Sequence, residues 1–352
     1  MASTAVRRRV RGSLQAQKPA AKQASKSKAK GINTIPLYIL IVAFFALYIL
    51  FQRTPVLSAV FGIVVFLMII AVIVIEVLGS LHEEGGKKSA IELVAAIVIV
   101  IIFWLSLQAL LSTPEPINVV PTCSMLPVLH RGDLIAIHGI SNATKINAPI
   151  VNVNQAVWNR TIGNFSSDFM FCVAYNQSDP ASASVQYHPG DSLALYKSNL
   201  GGGELVQQSS QTGLIQYSCG ISDVRLSSGS TIQEAYTKSI TIGNTTINGD
   251  KNNSIVVYKT LPEDIFYEEG DNYIVHRVYA IIHSGSNYYV LTKGDNNPGL
   301  DIQYGNYPIL VNSTENYIEG KVIAVIPYIG YLRLIFSRQI SEPAGCNSTM
   351  IN

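Results

Sequence analysis

Charge is scarce in this chain of 352 residues: Asp, Glu, Lys and Arg together make up 14%, against 48% apolar residues. So little charge cannot clothe an ordinary soluble surface of this size, and the apolar excess gathers between residues 34 and 112. Acidic side chains are missing from the first 30 residues, where nine Lys or Arg stand from Arg7 to Lys30. N-x-S/T sequons are missing from residues 1–112. The four cysteines, Cys123, Cys172, Cys219 and Cys346, form no C-x-x-C pair and no metal-like spacing, so neither a metal nor another cofactor is expected. No Gly-rich phosphate loop, DNA-binding motif or internal repeat occurs, which leaves nucleotide-driven chemistry without footing. The basic tail could in principle hold nucleic acid or acidic lipid. Without aromatics it reads as a disordered cytoplasmic tail over 1–33, and no nucleic-acid partner is expected.

Long apolar runs are present instead. Ile35–Phe51, Val56–Leu78 and Ala90–Leu111 can each cross roughly 25–30 Å of hydrocarbon, which gives three expected transmembrane helices over 34–112. The segment Gln52–Pro55 offers no small-x-small cleavage site, so the first run is not a cleavable leader. Glu76 and Glu92 flank the expected loop Gly79–Ser89, with its Lys87 and Lys88, and read as interfacial carboxylates rather than an intramembrane relay.

Lys and Arg then set the orientation: the tail and the Lys-bearing loop lie in the cytoplasm, and three crossings leave residues after about 112 outside. Eight sequons crowd this outer part, at Asn142, Asn159, Asn164, Asn176, Asn244, Asn252, Asn312 and Asn347, so it is expected to be glycosylated. A multi-pass cell-membrane protein follows, with a cytoplasmic N-terminus and the lipid bilayer as a partner.

Beyond Leu111 come Pro114 and Pro116, then short Val-, Ile- and Tyr-rich runs that read as strands: 133–139, 192–196, 254–259, 273–283, 288–292 and 317–327. Between 141 and 253 lies a sequon-rich, loop-rich insertion whose Trp158 and several Phe and Tyr need burial. Cys172 and Cys219 share this stretch and are the expected bridge in an oxidising compartment. Residues 338–352 read as a tail.

Three short segments carry chemistry. Pro121-Thr122-Cys123-Ser124-Met125-Leu126-Pro127, followed by Arg131-Gly132-Asp133, holds a serine in a tight turn just past a membrane run. Tyr273-Ile274-Val275-His276-Arg277-Val278 sets a histidine in an apolar strand. Lys293-Gly294-Asp295-Asn296-Asn297-Pro298-Gly299-Leu300-Asp301 brings two carboxylates in a turn. Each alone has a bland explanation: a loop serine, a satisfied core histidine, a simple turn. Together they supply a nucleophile, a base and an orienting carboxylate in the order Ser, His, Asp. The hydroxyl needs a base to take its proton, and imidazole can return that proton to a leaving amine.

These segments resemble the conserved boxes of signal peptidase I, in the archaeal and endoplasmic-reticulum branch that has histidine where bacterial enzymes have lysine. Gly320–Leu332 is similar to that branch as well. The resemblance implies Ser124 as nucleophile, His276 as general base, and Asp295 and Asp301 as acidic partners, with the one that touches the imidazole left open. It also implies an oxyanion site built from the Thr122 hydroxyl and the backbone N–H of Ser124. Cys123 stands where the family usually has a small residue, and Lys293 belongs to a turn the family shares. The expected fold is three membrane helices plus a mostly-β extracytoplasmic catalytic domain of signal-peptidase type, built from 113–140 and 254–337 around the insertion at 141–253. The expected function is a membrane-bound serine endopeptidase that removes signal peptides from exported preproteins, with the protein-export machinery as a neighbour. Small side chains at the first and third positions before the scissile bond belong to that resemblance. The alternatives are a processing peptidase for a restricted substrate, such as a pilin-like or surface-layer precursor, and a non-catalytic surface glycoprotein on the same scaffold.

Overall fold

The computed structural model describes residues 34–51, 54–84, 86–163, 174–175, 196–197, 214–268, 270–312, 315–339, 341–343 and 345–351. The basic tail therefore lies outside the described residues. Three apolar helices open the described chain: α1 (Ile35–Leu50), α2 (Pro55–Glu84) and α3 (Gly86–Leu111). Pro36 and Pro55 sit in the first turns of α1 and α2, where a missing N–H costs nothing. Two helical segments, Val56–Glu76 and Leu93–Leu111, are long and apolar enough to cross a membrane. The 16 residues of α1 reach only about 24 Å. The expected loop Gly79–Ser89 is a correction: α2 runs on to Glu84 and α3 starts at Gly86. Glu83, Glu84, Lys87 and Lys88 are good helix formers, so the helices outlast the apolar runs.

The strands follow as β1 (Ile117–Val119), β2 (Leu134–His138), β3 (Ile150–Asn152), then helix α4 (Gln155–Gly163), and the short pair β4 (Ala174–Tyr175) and β5 (Tyr196–Lys197). Next come β6 (Ile215–Leu226), β7 (Thr231–Ile242), β8 (Thr245–Asn248), β9 (Ile255–Lys259), helix α5 (Ile265–Glu268), β10 (Tyr273–Ser284) and β11 (Asn287–Lys293). The chain continues with β12 (Ile309–Val311), β13 (Ile318–Ile326), helix α6 (Tyr331–Phe336) and β14 (Ser348–Ile351). The main sheet has the order β1-β2-β13-β9-β10-β11-β12, with β3 added parallel to β10. One edge of β10 carries both β9 and β3, and the other carries β11. With both faces covered, β10 is buried almost throughout, so its sequence is a near-continuous apolar run rather than an alternation.

The inserted stretch is woven into this sheet. Its β3 pairs with β10, and Trp158 of α4 is fully buried against the ring of Tyr289, 5.1 Å away. The long hairpin β6–β7 builds a second sheet, β14-β6-β7-β8, whose Ile240 and Ile242 share a core with Ile282, Leu291 and Leu300. Two expectations are amended here. The tail beyond 337 supplies a strand, β14, paired antiparallel with β6, because burying Met350 rewards the pairing. Of the two runs competing to precede the histidine strand, 255–259 pairs with it, Val256 opposite His276. Most of the other, Gly190–Leu195, lies outside the described residues.

The β region is joined closely to α3. Leu111 accepts a hydrogen bond from the Gly139 amide at 2.7 Å, and Gln108 donates to the Pro114 carbonyl at 2.7 Å. Tyr48 of α1 donates to the carbonyl of Pro327 at 2.9 Å.

Candidate active site

Residues 120–133 form a tight loop between β1 and β2. Val120, Met125 and Leu129 plug into a core with Ile135, Ile137 and Val257, which fixes the backbone on both sides of Ser124 while Ser124 itself is only half-buried. Arg131 ties the loop down by donating from Nε to the Pro121 carbonyl at 3.0 Å, and it reaches the carbonyls of Gln339 and Ser341. Gly132 has φ +85°, and a Cβ there would meet the Tyr331 ring at 2.3 Å, so glycine is required. Buried Asp133 accepts from the amides of His130, at 2.7 Å, and Tyr328, at 3.1 Å; burial nevertheless holds its carboxyl above the usual range. The Arg-Gly-Asp box thus closes the loop.

Side-chain alternation along β10 sends His276 to one face and Arg277 to the other. His276 Nε2 lies 2.9 Å from Ser124 Oγ, and its Nδ1 lies 2.8 and 2.7 Å from the two oxygens of Asp301. Asp301 opens a 3-10 turn, Asp301–Tyr304, and is buried. Its Oδ2 also accepts from Tyr258 at 2.8 Å and Thr292 at 2.6 Å. Burial alone would raise this carboxyl; the charge and hydrogen bond of His276, with those two hydroxyls, outweigh it and hold it below the ordinary carboxylate range. Burial and the Asp301 charge push the Tyr258 phenol well up, so it remains a donor. Phe266 meets the imidazole edge to face, with ring centroids 6.3 Å apart. The Thr122 hydroxyl lies 3.2 Å from Ser124 Oγ.

Asp295 goes elsewhere. It takes a bidentate pair from Arg277, Nε at 2.8 Å and Nη2 at 2.7 Å, while Arg277 Nη1 caps the carbonyl of Asn253 at 2.8 Å. This pins the turn after β11 to β10, on the face away from His276. Lys293 shares that face, since Thr292 points to Asp301; its amine donates to the Gly294 carbonyl at 3.2 Å, and burial lowers it to about 8. The turn itself presses on the loop that carries Ser124. The Asn296 amide donates to the Ser124 carbonyl at 2.7 Å, and a Cβ on Gly294 would stand 2.7 Å from that same oxygen.

Ser124, His276, Asp301 and Thr122 are therefore brought together, and Asp295 stands one layer back. Tyr258, Thr292 and Asn296 were not singled out by the sequence reading. A hydroxyl in an apolar strand and an Asn in a turn are too common to stand out, and only the placement of Asp301 gives the hydroxyls a partner. Cys123 is bonded to Cys346, with Cα atoms 5.0 Å apart. The pairing of Cys172 with Cys219 falls on Cys172, which is outside the described residues. Among the described residues, no group of three or more His, Cys, Asp or Glu could hold a metal ion.

Three known proteins share sequence with this chain. It is 38% identical over 90 residues to the signal peptidase complex catalytic subunit SEC11 of Colletotrichum graminicola, covering 24% of this chain and 51% of that protein. The subunits of the same name from Verticillium alfalfae and Pyricularia oryzae are 33% and 34% identical over 88 residues, 24% of this chain and 44% of each of them. The chain spans about half the length of the curated relatives it matches. No family model matches, and no solved structure matches. The resemblance read from the boxes is thus borne out as similarity to catalytic subunits of signal peptidase.

Proposed function

We propose that this chain is a membrane-anchored serine endopeptidase that cleaves signal peptides from preproteins at the outer face of the membrane. The observation that carries it is the hydrogen-bonded series Ser124 Oγ, His276 Nε2, His276 Nδ1, Asp301, with links of 2.9 and 2.7 Å. Ser124 Oγ attacks the scissile carbonyl carbon as its proton passes to His276 Nε2. Asp301 fixes Nδ1 as the protonated nitrogen and stabilises the imidazolium. The Thr122 hydroxyl and the Ser124 N–H receive the oxyanion, a type of contact whose removal costs about 10²–10³ in rate. His276 hands its proton to the leaving amine, which departs as the new N-terminus of the mature protein. Water, deprotonated by the same imidazole, then releases the signal peptide from Ser124.

Topology supports a substrate that arrives in the bilayer. All three helices are assigned as spans, with the tail inside and residues beyond Leu111 outside. Tyr38, early in α1, donates to Glu76, at the end of the apolar stretch of α2, which fits an antiparallel pair with both residues at the inner level. On this topology the exposed side chains of Ile323, Val325 and Ile326, next in sequence to the Pro327 carbonyl that Tyr48 contacts, are assigned to the outer membrane level, with Phe336 nearby in sequence. The sequon residues Asn142, Asn159, Asn244, Asn252 and Asn347 are exposed and open to glycans. Membranes carrying the wild-type chain should convert a model preprotein to its mature form, with the new N-terminus read by mass spectrometry. Membranes carrying Ser124→Ala should leave it intact; equal conversion by both would overturn the assignment.

A further inference from the structure

Two features lie beside the nucleophile that the reaction scheme above does not use: the Cys123–Cys346 bond and the strand just after it. Cys123 immediately precedes Ser124 in the chain and is buried, while Cys346 is half-buried and lies 223 residues further on. Two residues past Cys346 begins β14, which pairs with β6 of the inserted sheet. Asn296 joins the same parts without a covalent bond. Its side-chain amide donates to the carbonyls of Cys123 at 3.1 Å and Ser348 at 2.9 Å, and its oxygen accepts from the Met350 amide at 2.7 Å. Its backbone holds the Ser124 carbonyl. At the other end of the triad, Thr237 of β7 donates its amide to the Pro298 carbonyl at 2.8 Å and its hydroxyl to Gln303 at 2.9 Å, and Gln303 sits in the turn that carries Asp301.

The inserted sheet therefore grips the serine loop through β14 and the acid turn through β7. We infer that this sheet is a brace for the catalytic geometry, with Cys123, Cys346 and Asn296 as positioning residues, so that turnover depends on the Cys123–Cys346 bond being oxidised. The inference rests on the proposed serine-protease chemistry. A dithiol supplies two electrons and two protons, the Sγ–Sγ bond breaks into two thiols, and the dithiol leaves as its own disulfide. The loop then keeps non-covalent ties alone, namely its hydrogen bonds to Asn296, those of Arg131 and Asp133, and its hydrophobic plugs, and Ser124 Oγ is free to drift from His276. A misplacement of about 1 Å in a reacting atom costs on the order of 10²-fold in rate.

The test uses the full chain in detergent micelles with a model preprotein, before and after a dithiol, and again after reoxidation. It has a second readout that needs no preprotein: the rate at which a small fluorophosphonate labels Ser124. Reduction should lower kcat and the labelling rate by about 10–100-fold per folded molecule, leave KM within about 2-fold, and reverse on reoxidation. The Cys123→Ala/Cys346→Ala variant should match the reduced enzyme and ignore the dithiol. A Cys172→Ala/Cys219→Ala variant should remain sensitive to it. Unchanged labelling after reduction overturns the inference, and so does a loss that merely tracks the folded fraction seen by tryptophan fluorescence. Sensitivity that disappears with Cys172 and Cys219 also overturns it. If the double alanine variant does not fold, the reduced wild type, scored per folded molecule, decides alone. Labelling of Ser124 without any preprotein cleavage would instead count against the substrate assignment.

Discussion

Asp301 is held by four contacts, two from the imidazole and one each from Tyr258 and Thr292, and each hydroxyl contact bears on how firmly the imidazole is aimed. Hydrogen bonds to a charged group are each worth about 1.5–3 kcal/mol. Tyr258→Phe and Thr292→Val should therefore each lower kcat several-fold while KM stays near wild type, as measured with one preprotein at saturating and limiting concentrations. Asp301→Asn should fall much further, on the order of 10⁴-fold, because the amide stabilises the wrong tautomer. The lowered carboxyl of Asp301 adds stability that is present above its unfolded value and is lost as pH falls through the folded one, so its charge is constant across the neutral range. Lys293 has the opposite sense. Its amine is lowered to about 8 by burial, so the native state binds fewer protons than the unfolded chain between there and the ordinary lysine value of about 10.4. The penalty is full below pH 8 and fades as pH rises, so unfolding free energy should climb through that window. Lys293→Met should flatten the climb and add on the order of 1 kcal/mol at pH 7, while Ser124-dependent cleavage persists; a flat wild-type profile would remove the buried charge from the picture.

At the level of elements, β10 and the turn after β11 decide the site. Strand β10 was legible, since Tyr273–His283 is apolar, β-branched and bounded by polar breaks, and the observed strand is Tyr273–Ser284. The pleat then forces His276 and Arg277 apart. The turn was legible as a turn but not in its division of labour. Asp295 and Asp301 are equivalent as letters, and only the 3-10 turn, which lifts Asp301 under His276, separates them. Gly294 shows how tightly the turn approaches the loop that carries Ser124. Its Cβ would sit 2.7 Å from the Ser124 carbonyl, with backbone on one side and Asn297 on the other. Gly294→Ala should push the loop back and cut kcat by about 10-fold or more, with a smaller loss in melting temperature than in rate. A full-rate Gly294→Ala enzyme would mean that the loop position is not critical.

Across the whole molecule, the sequence separated the apolar helices from the β region sharply, because the contrast in polarity at residue 112 is large. The sequence did not disclose that the inserted stretch is part of the same core. Long-range pairings such as β3 with β10 and β14 with β6 have no local signature. The topology is testable in intact cells: added protease should leave the basic tail untouched and cut exposed loops of 141–253. Digestion of the tail from outside would reverse the orientation. The central claim, that Ser124 and His276 act as one unit, is tested most directly by initial cleavage rates of a single preprotein with protein levels matched. Ser124→Ala, His276→Ala and the double variant should each lose at least about 10³-fold, the double no more than the worse single, since groups that act together are not additive. Losses that multiply in the double variant, or wild-type cleavage by Ser124→Ala, would contradict it.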